Sequence, residues 1–507
     1  MPLLNWSKCK ATLQAKVSSS EIHLFWNLSG KAFAGLSSYI TLPYLFSYFK
    51  PEKMGYFVMY QMVFTWLMVM DFGLGIGVNR MFSQKWQIPS QKGKAKQYFY
   101  AVEKLQMFLV LFFLIVTFVF YSGSLAIDFA NSEIYVGIAL ALISYYPVLL
   151  YMNTLMGMLK FFQLNCFHFL YVFCKFYGAI FFLYYFQMTT SQYFLGQALI
   201  NFFYVILLRI TIHKSGIAID PFCKVAIKEC KALKIFSRDM GVMSILTMLI
   251  VQLDKWYLLV SDSLDLLGYY GMIWSLGSVL IMIASPFSQT YIPCFTRWIH
   301  EKMYKKLRKK VLMASFILGM LILPLFIVMI CNAKSLLCIW FSTTKITNQQ
   351  VLVFSILLVG FALSSLNTLM HGIRVAYGWT KLSLYLDIIA VFFALIPGFL
   401  LVSRFQMIGS SMVWLLINTM YFITSIYKTF KKVLKGMRFS YLNYGILLPS
   451  LYGMIVLTIF HKIDFYLFNK MQWLTFFIEI ECISFLIVAI VFFFKNRSNQ
   501  NVLIKKF

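Results

Sequence analysis

The sequence predicts an all-α polytopic membrane protein with about fourteen transmembrane helices, arranged as two six-helix parallel repeats and a C-terminal helix pair. Three observations predict it. Hydrophobic residues make up 61% of the 507-residue chain and charged residues only 12%, half the roughly 25% of a typical globular protein. Apolar runs recur along the whole chain at the length of about 20 residues that a helix needs to cross a bilayer. Lys and Arg number 45 against 17 Asp and Glu, a net charge of +28, and they fall almost entirely in alternate loops. A soluble enzyme, a secreted disulfide scaffold and a disordered chain are excluded by this composition.

The apolar runs lie at 26–48, 55–79, 99–121, 135–158, 165–186, 190–211 and 239–260, then at 268–293, 311–332, 351–373, 382–403, 408–427, 441–461 and 472–494. With the N-terminus in the cytoplasm, 34 of the 45 basic residues fall on the cytoplasmic side and seven on the opposite side. Four lie within spans: Lys31, Lys104, Lys175 and Lys255. Cytoplasmic loops are expected to carry this excess, so both termini are placed inside and the net charge needs no nucleic acid to explain it. The organisation that follows is a cytoplasmic N-terminal segment (1–25), a first six-helix half (26–211), a basic cytoplasmic linker (212–238), a second six-helix half (239–430), an extra helix pair (431–494) and a basic cytoplasmic tail (495–507).

Residues 1–25 carry three Lys and no long apolar stretch, so no cleavable signal peptide is expected. The loops on the far side are short, the longest being about 18 residues around Ser335–Gln350. No G-x-x-x-x-G-K-S/T run occurs, so the chain is expected to carry no ATPase of its own. Nine Cys is an odd number, and Cys9, Cys223, Cys230 and Cys294 fall on or near the cytoplasmic side, which argues against a disulfide framework. Pairing of Cys331 with Cys338 near the outer face is the disfavoured alternative. The six His show no paired metal spacing, so neither a metal nor a cofactor is called for.

An internal repeat supports the two halves. Lys53-Met54-Gly55-Tyr56-Phe57 follows the first span, and Leu266-Leu267-Gly268-Tyr269-Tyr270 follows the seventh. The same offset of 213 residues carries Trp26, at the start of the first span, onto Asp239. An even number of helices per half gives both the same orientation, and parallel repeats of this kind are expected to place a substrate site at their interface.

Charged groups in a bilayer cost about 2.5–3.5 kcal/mol each on insertion scales, so they face a cavity or each other. The first span aligns Asn27, Lys31, Ala34, Ser38 and Thr41 on one helical face, spaced by three and four. Ser244, Thr247 and Asp254 continue the theme in the seventh span, and Ser275, Ser278, Ser285 and Gln289 in the eighth. The tenth aligns Gly360, Ser364, Asn367, His371 and Arg374. Asn27, Ser38, Ser244, Thr247, Ser278, Asn367 and His371 are thus candidates to line a lumen; small-residue packing seams between helices are the alternative. Lys31, Lys175 and Lys255 are candidate cations facing an anionic substrate. Asp254 and Lys255 are adjacent, about 100° apart around a helix, and are expected to face different neighbours. Asp254 and Asp387 are candidates for carrying a coupling ion, with packing against Lys381 or Arg374 the alternative for Asp387. Glu103 and Lys104 are expected at the interface, and Glu479 and Glu481 have no assigned role.

Residues 43–84 carry a family resemblance. Gly55-Tyr56 opens the second span, which closes on Asp71-Phe72-Gly73-Leu74-Gly75 and then Arg80. Gln252-Leu253-Asp254-Lys255, Gly268-Tyr269-Tyr270, Pro293, Gly378-Trp379-Thr380-Lys381 and Gly409 extend it through the second half. The pattern resembles the polysaccharide-transport branch of the MOP exporter superfamily, in particular the Wzx-type O-antigen flippases. The resemblance implies a MATE/MOP-like fold, with Gly55, Asp71, Gly73, Gly75, Arg80 and Gly268 as structural motif residues. It implies a flippase moving undecaprenyl-pyrophosphate-linked oligosaccharide repeat units from the cytoplasmic to the periplasmic leaflet of a bacterial inner membrane. The polymerase and chain-length regulator of the same pathway are the implied protein partners, beside the phospholipid bilayer itself. Without an ATPase, an ion gradient is the expected energy source.

Three rival readings remain. The cargo is another lipid-linked glycan of capsule, exopolysaccharide or peptidoglycan type. A multidrug cation exporter would favour acids in the cavity, where this chain has at least as many cations. A polytopic O-antigen polymerase or glycosyltransferase would need a sizeable outer loop, and here Asp128, Glu133, Asp262, Asp265 and Asp464 form no carboxylate pair.

Overall fold

A computed structural model describes residues 19–69, 74–86, 88–127, 131–217, 245–260, 264–343 and 345–460. These residues form helices and no strand. The chain divides into two compact units, Met1–Met248 and Leu249–Phe507. Among the described residues nine helices are long and apolar enough to cross a membrane, or ten if one bent pair counts as a span. The expected span at 472–494, with Glu479 and Glu481, lies outside the described residues, as does most of the expected linker at 212–238.

The first unit begins with α1 (Ser19–Val69), which runs through the first expected span and into the second, and bends at Lys50, where φ is 61° and ψ 173°. Pro51 follows directly. A proline bars the preceding residue from helical geometry and then starts a helix well itself, so one kink joins two spans without a loop. Then come α2 (Leu74–Lys85), α3 (Lys92–Ile127) and α4 (Ser132–Gly157). The next span is α5 (Phe161–Phe173), a π-helical stretch over Cys174–Gly178, and α6 (Ala179–Phe186), followed by α7 (Thr190–Lys214). Helix α4 packs on α2, α3 and α7, and Phe82, Phe99, Val148, Leu155 and Leu208 are fully buried in the core there.

One polar cluster ties this core together. Glu103 accepts from Arg209 Nε at 2.8 Å and from Tyr151 Oη at 2.9 Å, joining α3, α4 and α7. The Arg209 guanidinium lies 5.5 Å from the Phe99 ring centroid. The Glu103 side chain is only 14% exposed, and an acid in an apolar helix is held more cheaply by an arginine than by hydrocarbon.

The second unit takes in most of α8 (245–260). It continues with α9 (Leu264–Gly277), α10 (Val279–His300), α11 (Tyr304–Cys331), α12 (Ala333–Phe341), α13 (Asn348–Ala376), α14 (Thr380–Phe405) and α15 (Met407–Lys432). It closes with α16 (Arg438–Leu442), a second π stretch at Asn443–Leu447 and α17 (Leu448–Phe460). The centre is α13, packed against α9, α10, α11 and α15, and its Val353, Phe354, Leu357, Leu358 and Phe361 are wholly buried.

Two expectations are corrected here. The single span at 268–293 is two helices bent by 46° at Ser278. Ser275 and Ser278 hydroxyls donate to the carbonyls three residues back, at 2.7 and 2.8 Å, and such back-bonding bends helices. The supposed loop after Cys331 contains α12, because Ala333, Leu336, Leu337 and Phe341 give it one apolar buried face. Cys331 and Cys338 are both free thiols.

Gly319 of α11 meets the second π stretch so closely that an added Cβ would run into the Gly445 carbonyl. Gly196 on α7 has nothing within 4 Å of such a Cβ. Gly319→Ala should therefore destabilise by about 1–3 kcal/mol through overpacking, whereas Gly196→Ala should be neutral or mildly stabilising. Thermal unfolding of the two variants in detergent, side by side, checks this.

Candidate functional site

In the first unit the site is built around Lys175, which sits inside the π stretch. A π turn shifts the register of a helix locally and leaves its carbonyls irregularly paired. Here Gln197 Nε2 of α7 donates to the Lys175 carbonyl at 3.1 Å. The Lys175 Nζ donates to Tyr171 Oη, one turn back, at 3.1 Å. Tyr171 in turn donates to Asn201 Oδ1 at 3.0 Å, and Asn201 Nδ2 donates to the Ala141 carbonyl at 2.7 Å. All hydroxyl and amide protons in this chain point one way. The Tyr171 oxygen is thereby left as an acceptor facing the ammonium.

The rest of the ammonium's surroundings is aromatic. Ring centroids of Tyr171, Tyr145, Phe64, Tyr60 and Phe176 lie 5.4, 5.6, 5.7, 6.0 and 6.0 Å from Lys175 Nζ. Ring faces attract a cation through their quadrupole, more strongly where water is excluded. Among the described residues no carboxylate lies within ion-pair distance of Lys175. An ammonium carries three N–H donors, and among the described residues a single hydroxyl accepts from this one. A cavity of about 280 Å³ opens beside it, lined by Ser38, Phe57, Gln61, Tyr193 and Gln197 together with Tyr60, Phe64 and Phe176 of the cage. Ser38 and Lys175, singled out separately in the sequence, line the same space.

In the second unit Asp254 and Lys255 form an ion pair, Nζ to Oδ1 at 3.3 Å, with both side chains at least nine-tenths buried. The expectation that they face different neighbours is corrected. Their Cβ atoms do diverge, but the four-carbon lysine stem folds back along the helix, where Nζ also donates to the Val251 carbonyl at 2.8 Å. Tyr270 Oη donates to Asp254 Oδ2 at 2.6 Å, the Lys255 amide to Oδ1 at 2.9 Å, and the ammonium lies 3.6 Å from the Trp274 centroid. Trp274 packs on Trp414 and Phe361 at 4.5 and 5.0 Å. Lys255 thus meets its charge within the unit, and Lys175 meets no opposite charge among the described residues.

Asp387 on α14 accepts from Tyr421 Oη at 2.7 Å, and Arg374, fully buried on α13, interacts with it electrostatically. Among the described residues Arg374 Nε and Nη1 find no hydrogen-bond partner. On α13 Asn367 is buried and His371 exposed. Thr247 is exposed, and Ser278 returns its hydroxyl to its own helix. Gly55, Gly75 and Gly268 are buried in α1, α2 and α9. Asp71, Gly73 and Ser244 lie outside the described residues, as do the side chains of Asn27, Lys31 and Arg80.

The architecture has counterparts among solved structures. A structure described as the lipid II flippase MurJ in an inward closed conformation matches with a TM-score of 0.60 at 13% identity, covering 94% of this chain and 99% of that one. A variant of the Vibrio cholerae MATE transporter VcmN matches with a TM-score of 0.57 at 14% identity, covering 84% and 100%. An inward-facing multidrug resistance MATE family transporter of the MOP superfamily gives 0.55 at 13%, covering 80% and 96%. The fold of this chain is similar to that of these solved transporters. At these identities the likeness speaks for fold alone. No family model matches the chain, and no curated protein matches it by sequence.

Sequence reasoning missed Gln197, Asn201, Tyr171 and Tyr60. A signal for the first two was present. Tyr193, Gln197, Asn201 and Tyr204 recur at helical spacing on α7, and all four are buried. Two buried amides one turn apart in an apolar helix need partners in the next layer.

The Asp254–Lys255 pair makes a measurable prediction. Removing one partner leaves a buried charge uncompensated, so Asp254→Asn should cost about 3–5 kcal/mol, whereas Asp254→Asn with Lys255→Met should recover most of the loss. Thermal unfolding of single and double variants checks it.

Proposed function

We propose that this protein is a flippase of the MOP fold that carries undecaprenyl-pyrophosphate-linked O-antigen repeat units from the cytoplasmic to the periplasmic leaflet by alternating access. The observation that carries the reading is Lys175, an ammonium caged by rings beside a cavity, with no carboxylate against it among the described residues. A site that must strip water from a pyrophosphate and release it again needs a cation without a permanent counter-ion. A drug-cation site would need an acid in that place. Lys31 is proposed as a second cation along the same path. The family motifs in the sequence supply the glycan class, and capsule or exopolysaccharide units are the alternative cargo.

The proposal treats the protein as a transporter rather than an enzyme, in a bacterial inner membrane with both termini cytoplasmic. It uses no cofactor and binds no nucleic acid. A polymerase and a chain-length regulator of the same pathway act on the delivered units. Energy comes from an ion gradient. Asp387 suits the coupling role better than Asp254, because both Asp254 oxygens are engaged by Lys255 and Tyr270.

The test is the sidedness of lipid-linked repeat units in membranes of a deletion strain, with and without the protein restored. Units should be trapped on the cytoplasmic face without it and exported with it. Units that reach the periplasm without the protein, and only fail to polymerise, would overturn the reading. At matched protein levels, Lys175→Ala should cut export by about tenfold or more, the worth of a hydrogen bond to a charged group, and Lys175→Arg should retain more. Lys31→Ala should behave like Lys175→Ala. Normal export by both alanine variants would refute the cationic path.

A further inference from the structure

We infer that Arg374 is a positioning residue that converts the charge state of Asp387 into a movement of α14; this rests on the reading of Asp387 as the group that carries the coupling ion. The two residues stand on either side of a pinned corner. Arg374 lies in the last turn of α13, and the chain passes through Tyr377, Gly378 and Trp379 into α14. The Trp379 amide donates to the Arg374 carbonyl at 3.0 Å, and Gly378 takes a φ of 76°, the left-handed conformation that closes a helix end. Lys432 of α15 covers the corner, its Nζ 4.9 and 5.8 Å from the Trp379 and Tyr377 ring centroids. Beyond the corner α14 packs on α15 and hardly on α13. Asp387, two turns into α14, reaches back to α13 by charge.

That carboxylate is shared between two helices. Tyr421 of α15 donates to Oδ1, and the Arg374 guanidinium attracts it from beyond ion-pair distance. His371, exposed one turn before Arg374 on α13, repels the guanidinium whenever it carries a proton. The difference in exposure gives the pair its direction. Arg374 is 2% exposed, and its Nε and Nη1 are sealed. A guanidinium keeps its proton at every working pH, so this charge cannot be switched off to suit its surroundings. Asp387 is part-exposed and is open to a proton or a small cation. While Asp387 is ionised, its attraction for Arg374 holds the adjoining turns of α14 towards α13. Once Asp387 is loaded, Arg374 is a buried cation whose partner has been neutralised, which is strongly unfavourable, and α14 is released to pivot about the corner. Tyr421 cannot sense the change in this way, because a hydroxyl binds an ionised or a neutral carboxyl alike.

Hydrogen–deuterium exchange of the full chain in lipid nanodiscs, read by mass spectrometry over residues 380–390, tests this. Asp387→Asn, which imitates the loaded state, should speed exchange there by about tenfold. In an Arg374→Gln background the same substitution should add less than about twofold. Arg374→Lys keeps the charge and should keep the response to Asp387→Asn. Tyr421→Phe should stay within about twofold of wild type, since Arg374 still holds the carboxylate. An equal response to Asp387→Asn with and without the arginine would overturn the role of Arg374 and leave the coupling role of Asp387 standing. Should Arg374→Gln fail to fold, Tyr421→Phe decides alone: exchange as fast as in Asp387→Asn would assign the hold on α14 to the hydroxyl and overturn the inference. Unchanged exchange in Asp387→Asn together with loss of export would also overturn it. Unchanged exchange with normal export would overturn the coupling role of Asp387 as well.

Discussion

Hydrocarbon does not solvate charge, and every ionised group within a span has to be answered by the protein itself. Much of the described interior follows from that constraint. Glu103 is answered by Arg209 and Tyr151, and Asp254 by Lys255 and Tyr270. The serine hydroxyls of α9 and α10 are answered by carbonyls of their own helices. These arrangements are closed: donor and acceptor are both protein. Lys175 is answered differently. Ring faces and one phenol hydroxyl stabilise its charge without neutralising it, so it stays attractive to an anion.

The local structure that makes this possible is spread over four helices. The π stretch carries Lys175, and α7 supplies the amide that holds its carbonyl. Asn201 orients Tyr171, and α4 accepts at the end of that chain. Holding a part-buried ammonium without a counter-ion among the described residues is costly, and such groups concentrate at functional sites. The aromatic excess, 19% of the chain, is partly membrane-facing, but at this site the rings are the cation's solvent.

The all-helical membrane fold was legible because hydropathy reports long apolar helices almost independently of packing. Lys175 was legible too, since a cation in mid-span with no acid one turn away is conspicuous in one dimension. What lay beyond the sequence was side-chain reach and layer-to-layer pairing. Adjacent Asp254 and Lys255 diverge on a helical wheel, yet a flexible lysine stem brings their heads together. Glu103 and Arg209 are 106 residues apart, and nothing local links them. The bend at Ser278 and the π register at Cys174–Gly178 depend on hydrogen bonds that no apolar period encodes. Gln197 belongs in the same class: its meaning comes from a carbonyl on the facing helix.

The claim on which the functional reading turns is that Lys175 holds the anionic part of the cargo. The most direct measurement is a high-resolution cryo-EM map of the protein bound to a short-chain polyprenyl-pyrophosphoryl sugar. A phosphate oxygen should lie within about 2.7–2.9 Å of Lys175 Nζ, the range of a charge-assisted hydrogen bond. A pyrophosphate bound elsewhere, with the Lys175 cage unchanged and its cavity empty, would contradict it.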